Sequence, residues 1–158
     1  MLKDISFLLN KAYFYLKFRP RTEKELRQYL EKKIIKTNFS QEDIEAVIEK
    51  LKEQDLINDK KFIDLYVKDR VALKPKGIRV LKQELMVKGI SPQLIDEYFS
   101  QNQINEKELI KKILEKKLDR LKNVDYQKKY EKLLSFLIRR GFDFQVAKKA
   151  IEELFKKE

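Results

Sequence analysis

Apolar residues recur every three or four positions along most of the chain, and charged residues fill most of the positions between them. This spacing places the apolar side chains on one face of a helix. No segment alternates apolar and polar residues over the length of a strand. The pattern therefore predicts an all-α protein. The predicted helices cover residues 4–18, 23–33, 41–54, 60–73, 78–88, 92–100, 106–122, 126–140 and 144–156.

Capping residues and glycines mark where these helices begin and end. Thr22 and Glu25 have the spacing of a capping box, in which side chain and backbone bond reciprocally. Gly77, Gly89 and Gly141 lie in turns, where a residue without Cβ is favoured. The other predicted N-terminal caps are Ser40, Asn58, Asp59, Ser91, Asp125 and Asp143.

One pattern occurs three times: an apolar helix end, a Lys or Arg, a turn, an aromatic residue or Ile, a cap, and a second apolar helix. Leu30, Leu85 and Leu137 mark equivalent helix ends, 55 and 52 residues apart. The equivalent turn residues, 51 and 52 residues apart, are Phe39, Ile90 and Phe142. The first copy therefore carries about four extra residues, within 34–38.

A period of this length is typical of stacked helical repeats. One helical unit cannot bury its own apolar face, so about three repeats are needed for a stable array. The sequence predicts an elongated, curved array of three tandem three-helix repeats. We expect repeat one at 1–56, repeat two at 57–102 and repeat three at 103–158.

The charge of the chain is strongly positive, with 37 Lys and Arg against 26 Asp and Glu, or +11. The excess is +2 in repeat one, +3 in repeat two and +6 in repeat three. A basic excess favours polyanions or acidic protein surfaces as partners. In a chain that is 40% charged, it is equally explained by solvated helix faces.

The composition argues against an enzyme. The chain has no His and no Cys, which removes the usual neutral-pH base, the commonest metal ligand and a thiolate nucleophile. No glycine-rich phosphate loop is present. Asp55, Asp59 and Asp64 are candidates for a metal cluster, but their spacing fits no Ca²⁺ loop and favours caps and surface charges. We expect no cofactor, no membrane-spanning segment, no signal peptide and a cytoplasmic location.

Two groups of cations are the strongest candidates for function. One follows the first predicted helix, and the other runs from the end of the fourth helix through the turn at Gly77 into the fifth. Cations near the start of a helix oppose its dipole, which favours a functional reason for them. Free backbone N–H groups at Gly77 would help to bind phosphate or carboxylate. The candidate residues are Arg19, Arg21, Arg70, Lys74, Lys76, Arg79, Lys82 and Lys88.

Aromatic residues are concentrated on the first predicted helix: Phe7, Tyr13, Phe14, Tyr15 and Phe18. Exposed aromatics beside cations would form a platform for nucleic-acid bases. Core packing is the favoured interpretation for most of them, because the end of an array needs large side chains to close it.

Three stretches occur in a distinctive order and spacing. They are Arg19-Pro20-Arg21-Thr22-Glu23-Lys24-Glu25-Leu26, then Leu56-Ile57-Asn58-Asp59-Lys60-Lys61-Phe62-Ile63, then Lys76-Gly77-Ile78-Arg79 leading to Lys88-Gly89-Ile90. No single stretch is specific, but together they resemble the RecX family of regulatory proteins. The resemblance covers essentially the whole chain and is weakest over 103–158.

The resemblance implies an all-helical array of three-helix repeats that binds the bacterial recombinase RecA. It implies binding in the groove of the RecA–DNA filament, mainly inhibition of recombinase activity, and a role in homologous recombination, DNA repair and the SOS response. It also implies no catalysis and weak binding to DNA. Asp55 departs from the family pattern, since it stands where the family commonly has Gly, and a left-handed Asp costs about 1 kcal/mol relative to Gly.

Two alternatives remain open from the residues. The first is a helical protein that binds DNA directly, without a recombinase partner; paired helices with a Gly turn fit this, although no helix is rich in base-reading residues. The second is a scaffold for an acidic protein. No heptad pattern is sustained along the chain, so a monomer is expected.

Overall fold

The structure is a computed structural model that describes residues 3–157. Within these residues it contains nine α-helices, one short 3₁₀ helix and no strand, which confirms the predicted all-α class. The helices are α1 (Ser6–Leu16), α2 (Glu23–Ile34), α3 (Gln41–Glu53), α4 (Asp59–Leu73), α5 (Ile78–Val87), α6 (Pro92–Gln101), α7 (Glu106–Leu118), α8 (Tyr126–Arg139) and α9 (Phe144–Lys156), with the 3₁₀ helix at Asp119–Leu121.

Local capping explains where several helices begin. Thr22 Oγ1 accepts the Glu25 N–H at 3.2 Å while the Glu25 carboxylate accepts the Thr22 N–H at 3.0 Å, so the predicted capping box is confirmed. Ser40 and Asp43 form a second capping box at the start of α3. Each box satisfies backbone donors that a helix N-terminus otherwise leaves unpaired.

Two predicted helix ends and one predicted cap need correction. The first helix ends at Leu16 rather than residue 18, and Lys17 is its C-cap. The seventh ends at Leu118, and its last turn tightens into the 3₁₀ helix, a common ending because the shorter bonds use otherwise unpaired carbonyls. Asp125 occupies the N-cap position of α8, but its side chain makes no capping hydrogen bond, so that prediction is wrong.

The chain forms two compact units. Unit one contains the residues before Tyr66 together with Leu85–Tyr98, and unit two contains Tyr66–Glu84 together with the residues after Tyr98. Helices α4 and α5 thus contribute residues to both units.

The core of unit one is built mainly from aliphatic side chains of α1, α2 and α3. Because these residues recur at helical spacing, the three helices bury their apolar faces against one another. The buried cluster is Leu8, Leu9, Ala12, Leu26, Leu30, Ile44, Val47, Ile48, Leu51 and Ile57.

The core of unit two is built mainly from α7, α8 and α9, with Val71 of α4 packed against it. Leu137 is fully buried here, as its counterpart Leu30 is in unit one, which is what the repeat pattern requires of them. The buried cluster is Leu109, Ile110, Leu114, Leu133, Leu137, Phe142, Ala147, Ala150 and Ile151.

Between residues 3 and 157, left-handed backbone occurs at four turn residues. Gly89 and Gly141 have φ of 86° and 88°, as their positions after helix ends require. Asp55 has φ of 57° and Lys36 has φ of 62°. Both turns of repeat one thus adopt the left-handed conformation without a glycine, which carries a steric cost because each residue has a Cβ.

The prediction that most aromatics of α1 pack in the core is wrong. Leu8, Leu9 and Ala12 form its buried face, so the aromatic residues beside that face stay accessible. Phe14 is 60% exposed and Phe18 is 66% exposed, with their rings in edge-to-face contact. Those with large exposed fractions are Phe7, Tyr13, Phe14 and Phe18. Tyr15 alone of the five packs against the core, stacked on the Tyr29 ring at 4.0 Å.

Candidate interaction site

The eight predicted cations fall into two groups. Arg19, Arg21 and Lys88 belong to unit one. The other five belong to unit two, where α4 ends and α5 begins: Arg70, Lys74, Lys76, Arg79 and Lys82.

In unit one, Glu25 is the common partner of two predicted cations. The Arg19 guanidinium donates to both carboxylate oxygens of Glu25, at 2.8 and 3.2 Å, and Lys88 Nζ lies 3.5 Å from Oε1. Burial alone would raise the pKa of Glu25, but the hydrogen bonds from Arg19 and the Thr22 N–H, with the Lys88 charge, lower it below its ordinary value. Thr22 Oγ1 also donates to the Lys88 carbonyl at 2.6 Å, which ties the N-terminus of α2 to the end of α5. These cations are therefore partly neutralised within the protein.

Arg21 is held by an aromatic ring rather than by an acid. Its guanidinium carbon lies 4.0 Å from the centre of the Tyr15 ring, a cation–π geometry. Its Nε atom is buried and has no hydrogen-bond partner among the described residues.

In unit two, Glu84 has the role that Glu25 has in unit one. Its carboxylate pairs with Lys76, accepts the Tyr66 hydroxyl at 2.7 Å, and lies 3.9 Å from Arg70 Nε. Burial alone would raise the pKa of Glu84, but the hydrogen bonds from Lys76 and Tyr66 and the Arg70 charge hold it below its ordinary value. The Arg70 guanidinium also covers the Tyr66 ring at 4.8 Å. Two more of the predicted cations are thus bound to an internal carboxylate.

The start of α5 is not the free anion site that the sequence predicts. The Gly77 N–H donates to the Arg140 carbonyl at 2.7 Å, and the Ile78 N–H donates to Glu106 Oε1 at 2.8 Å. The protein therefore supplies its own carboxylate to this helix N-terminus. Gly77 is required by close approach, since a Cβ there would lie 2.1 Å from the Gly141 carbonyl oxygen.

The same arrangement occurs at the start of α2. The Asp59 carboxylate accepts the Glu23 N–H at 3.0 Å, so the first residue of α4 caps α2 as the first residue of α7 caps α5. Burial raises the pKa of Asp59 despite this hydrogen bond. The prediction that Asp59 caps its own helix is wrong; Asn58 does so, accepting the Lys61 N–H at 3.1 Å.

The remaining candidates extend from the same turn. Lys74 is exposed, and its side chain forms no hydrogen bond, ion pair or ring contact with the described residues. Arg79 is exposed and donates from Nη2 to the Ile138 carbonyl at 2.9 Å. Lys82 Nζ lies 5.6 Å from the centre of the Phe99 ring. Lys74 and Arg79 are thus the most accessible of the unit-two candidates.

Sequence reasoning missed an apolar groove in unit one. The groove has a volume of about 480 Å³ and places Arg19 and Arg21 beside Phe18, Leu56 and Leu65. All three apolar side chains are largely exposed, and Lys17 and Lys61 also line the groove. Exposed apolar residues rimmed by charges are typical of a protein-binding surface. We call it the repeat-one groove. Its sequence signal was Phe18, one of the aromatic residues that the pattern assigned to the core.

The three aspartates considered as metal ligands have separate partners. Asp55 accepts the Asn58 amide at 2.9 Å and pairs with Lys61, while Asp64 accepts the Tyr98 hydroxyl at 3.2 Å. Between residues 3 and 157, no group of three or more His, Cys, Asp or Glu is placed to hold a metal ion. Over the same span, no helix is both long enough and apolar enough to cross a membrane.

Comparison with protein families gives three consecutive matches. The family model described as "RecX, first three-helix domain" matches residues 9–51. The models of the second and third RecX three-helix domains match residues 58–98 and 105–151. The three matches follow the chain order that the repeat pattern predicts.

Individual proteins agree with these matches. The chain is 30% identical over 151 residues to a protein from Oceanobacillus iheyensis named regulatory protein RecX, covering 92% of this chain and 54% of that protein. A protein of the same name from Streptococcus gordonii is 34% identical over 153 residues, covering 96% of this chain and 57% of that protein. The chain thus spans a little over half the length of these curated relatives.

Solved structures extend the likeness to the fold. The crystal structure of RecX from Lactobacillus salivarius superposes with a TM-score of 0.80 and 29% identity, covering 95% of this chain and 96% of that one. A crystal structure described as regulatory protein RecX gives a TM-score of 0.74 and 28% identity, covering 98% of this chain and 72% of that one.

Proposed function

This chain belongs to the RecX family of non-catalytic regulatory proteins, and from that membership we propose that it binds the RecA–DNA filament and inhibits recombinase activity. The observation that carries the proposal is the succession of three RecX three-helix domains between residues 9 and 151. The proposed binding place is the groove of the filament, where the protein opposes filament growth or promotes disassembly. Such a role belongs to homologous recombination, DNA repair and the SOS response, and to the cytoplasm, where the filament forms.

The repeat-one groove supports a protein partner. Phe18, Leu56 and Leu65 offer apolar area, and Arg19 and Arg21 stand beside them. Apolar anchors give affinity when they enter a pocket of the partner, whereas charges at the rim mainly steer the approach. We propose that this groove contacts the protein wall of the filament, with the rim cations facing acidic residues of the recombinase.

The cations at the end of α4 and the start of α5 support a second contact. Lys74 and Arg79 project from the turn around Gly77, while Arg70 and Lys76 are shared with Glu84. We propose that Lys74 and Arg79 add charge complementarity to acidic protein or phosphate. Arg70, Lys76, Lys82 and Lys88 contribute only as far as their contacts within the protein allow.

The experiment is co-sedimentation with RecA filaments on single-stranded DNA, using Leu65→Glu in the repeat-one groove. Leu65 is 55% exposed, so the substitution leaves the core intact, and a carboxylate in an apolar contact should weaken binding about tenfold or more. The matched control is Ile35→Glu, another exposed apolar residue of unit one, 66% exposed, outside the groove. Equal binding by the two variants would remove the repeat-one groove from the proposal.

A second candidate function is direct DNA binding without a recombinase, which the net charge of +11 favours. A salt titration separates the two. The affinity for bare double-stranded DNA falls steeply as salt is added: log K falls against log salt with a slope of about −0.9 per phosphate neutralised. Filament binding retained at moderate salt, where bare-DNA binding is lost, would reject the second candidate.

We also propose a monomer with repeat boundaries at 1–56, 57–102 and 103–158. The family matches at 9–51, 58–98 and 105–151 each lie inside one of these ranges. Light scattering of the purified protein would test the monomer, and limited proteolysis would test the two junctions.

A further inference from the structure

A groove in repeat three is lined by cations from two elements. It has a volume of about 420 Å³ and lies between the end of α7 with its 3₁₀ turn on one side and α8 on the other. Lys117 and Arg120 line the first side, and Lys132 and Arg139 line the second. Glu131 is the single carboxylate in the lining, so the groove carries a net charge of +3.

These four cations lack the internal partners that neutralise other cations of this protein. Arg19 pairs with Glu25 and Lys76 pairs with Glu84, but none of the four forms an ion pair with the described residues. Glu131 accepts a hydrogen bond from the Gln127 amide at 3.1 Å instead. The groove therefore concentrates positive charge rather than merely solvating a helix face.

Lys117 shows the mutual repulsion within the groove. Its pKa is lowered by burial first and then by the charges of Arg120, Arg140 and Arg139. Its Nζ atom lies 3.5 Å from the centre of the Phe136 ring, and the Arg140 guanidinium lies 4.9 Å from the same centre. The ring holds the cations together but is already occupied by them, so it does not serve as a platform for bases.

A helix dipole accounts for only part of this cluster. Cations at the C-terminal ends of α7 and α8 offset partial charges of about −0.5 at each end. Two such ends correspond to about one unit of negative charge, against a net +3 in the lining with Arg140 beside it. An excess of positive charge remains for an external anion.

We infer that this groove is a phosphate-binding site that takes the phosphodiester backbone of a nucleic acid or the phosphates of a free polyphosphate. Guanidinium and ammonium groups on two walls can donate to the free oxygens of one phosphate from two sides, and guanidinium groups bind phosphate oxygens in pairs. Base identity has no part in the recognition, because the only aromatic residue in the lining is covered by cations. The inference does not depend on a recombinase, so it is tested on the protein alone.

The test uses the double variant Lys132→Gln with Arg139→Gln, both exposed residues of the groove. The control is Lys148→Gln with Lys149→Gln, which removes two exposed charges from α9 in the same repeat, outside the groove. Fluorescence anisotropy of a labelled single-stranded oligonucleotide is measured across a salt series, and pyrophosphate binding is measured by calorimetry. Polyglutamate serves as a competitor that has charge but no phosphate.

For single strands, each phosphate contact contributes about 0.7 to the slope of log K against log salt, so loss of two contacts should reduce that slope by about 1.4. The same loss should weaken oligonucleotide binding about 25-fold near 0.1 M salt. The affinity of the control variant for the oligonucleotide should differ from that of the wild-type protein by less than about threefold. A loss confined to the oligonucleotide identifies the nucleic-acid backbone as the source, and a loss confined to pyrophosphate identifies a free polyphosphate. Equal losses in the two variants, no loss for either ligand, or full competition by polyglutamate would overturn the inference.

Discussion

Glu106 is expected to contribute more to stability than an acidic residue in the first turn of a helix usually does. Its Oε1 accepts the Ile78 N–H at 2.8 Å, and its Oε2 accepts the Asp143 N–H at 3.3 Å. One carboxylate therefore joins the N-termini of α5 and α9 to the start of α7. Glu106→Ala would leave both backbone donors without this acceptor.

The cost follows from these two contacts. Loss of an N-terminal cap costs about 0.5–2 kcal/mol, and hydrogen bonds to a charged partner contribute about 1.5–3 kcal/mol. The longer contact to Asp143 and the partial exposure of Glu106 place the sum at about 2–3 kcal/mol. Glu106→Gln keeps an acceptor oxygen but loses the charge, so about half of that loss is expected.

The assay is urea denaturation followed by circular dichroism, with Glu108→Ala as the control. Glu108 is exposed and lies in the same first turn of α7, so both variants lose a similar interaction with the helix dipole. Glu108→Ala should change the free energy of unfolding by no more than about 0.5 kcal/mol. If the two alanine variants were equally stable, the carboxylate would not hold these helices together and the reasoning would be refuted.

Three further substitutions have defined outcomes. Asp59→Asn keeps an oxygen acceptor for the Glu23 N–H and should raise the free energy of unfolding at neutral pH. Because burial raises the folded-state pKa of Asp59, protonation stabilises the wild-type protein as the pH falls toward 3.8. Urea denaturation at several pH values should therefore show the stability advantage of the variant shrinking as the pH falls. Gly77→Ala places a Cβ 2.1 Å from a backbone oxygen of Gly141 and should cost about 2–3 kcal/mol in urea denaturation; an unchanged midpoint would contradict that close approach. Lys36→Gly relieves a left-handed backbone and should raise the free energy of unfolding by about 0.5–1 kcal/mol, whereas a loss would show that the turn is not strained.

Local signals in the sequence predict this fold well. The capping box at Thr22 and the glycines after α5 and α8 act within a few residues, so their geometry can be read from the chain alone. The left-handed backbone at Asp55 follows from the resemblance to the RecX family, which commonly has glycine at this position. Apolar spacing also identifies the buried leucines, because one helix face must enter the core.

Contacts between helices could not be predicted in the same way. Lys76 and Arg70 appear free in the sequence, yet both lie against Glu84 on the next helix. The acceptors at the starts of α2 and α5 come from Asp59 and Glu106, which are 36 and 28 residues further along the chain. Such distances carry no local pattern, so the predicted anion site at Gly77 was wrong.

The aromatic residues of α1 show a second limit. Phe7 and Phe14 are seven residues apart, the same helical spacing as a core stripe, and large size alone favoured burial. The neighbouring face of Leu8 and Ala12 packs instead, since small and aliphatic side chains let the three helices of repeat one approach closely. The repeat-three groove escaped notice because its cations come from separate helices, and the only signal was the charge of +6 on residues 103–158.

The most direct test of the account is the ATPase rate of RecA on single-stranded DNA while this protein is added at sub-stoichiometric amounts. We predict a falling rate with loss of sedimentable filament, because a few bound molecules block growth or promote disassembly. An unchanged rate, with intact filaments and no co-sedimentation of the protein, would contradict the proposed function and leave direct DNA binding as the better account.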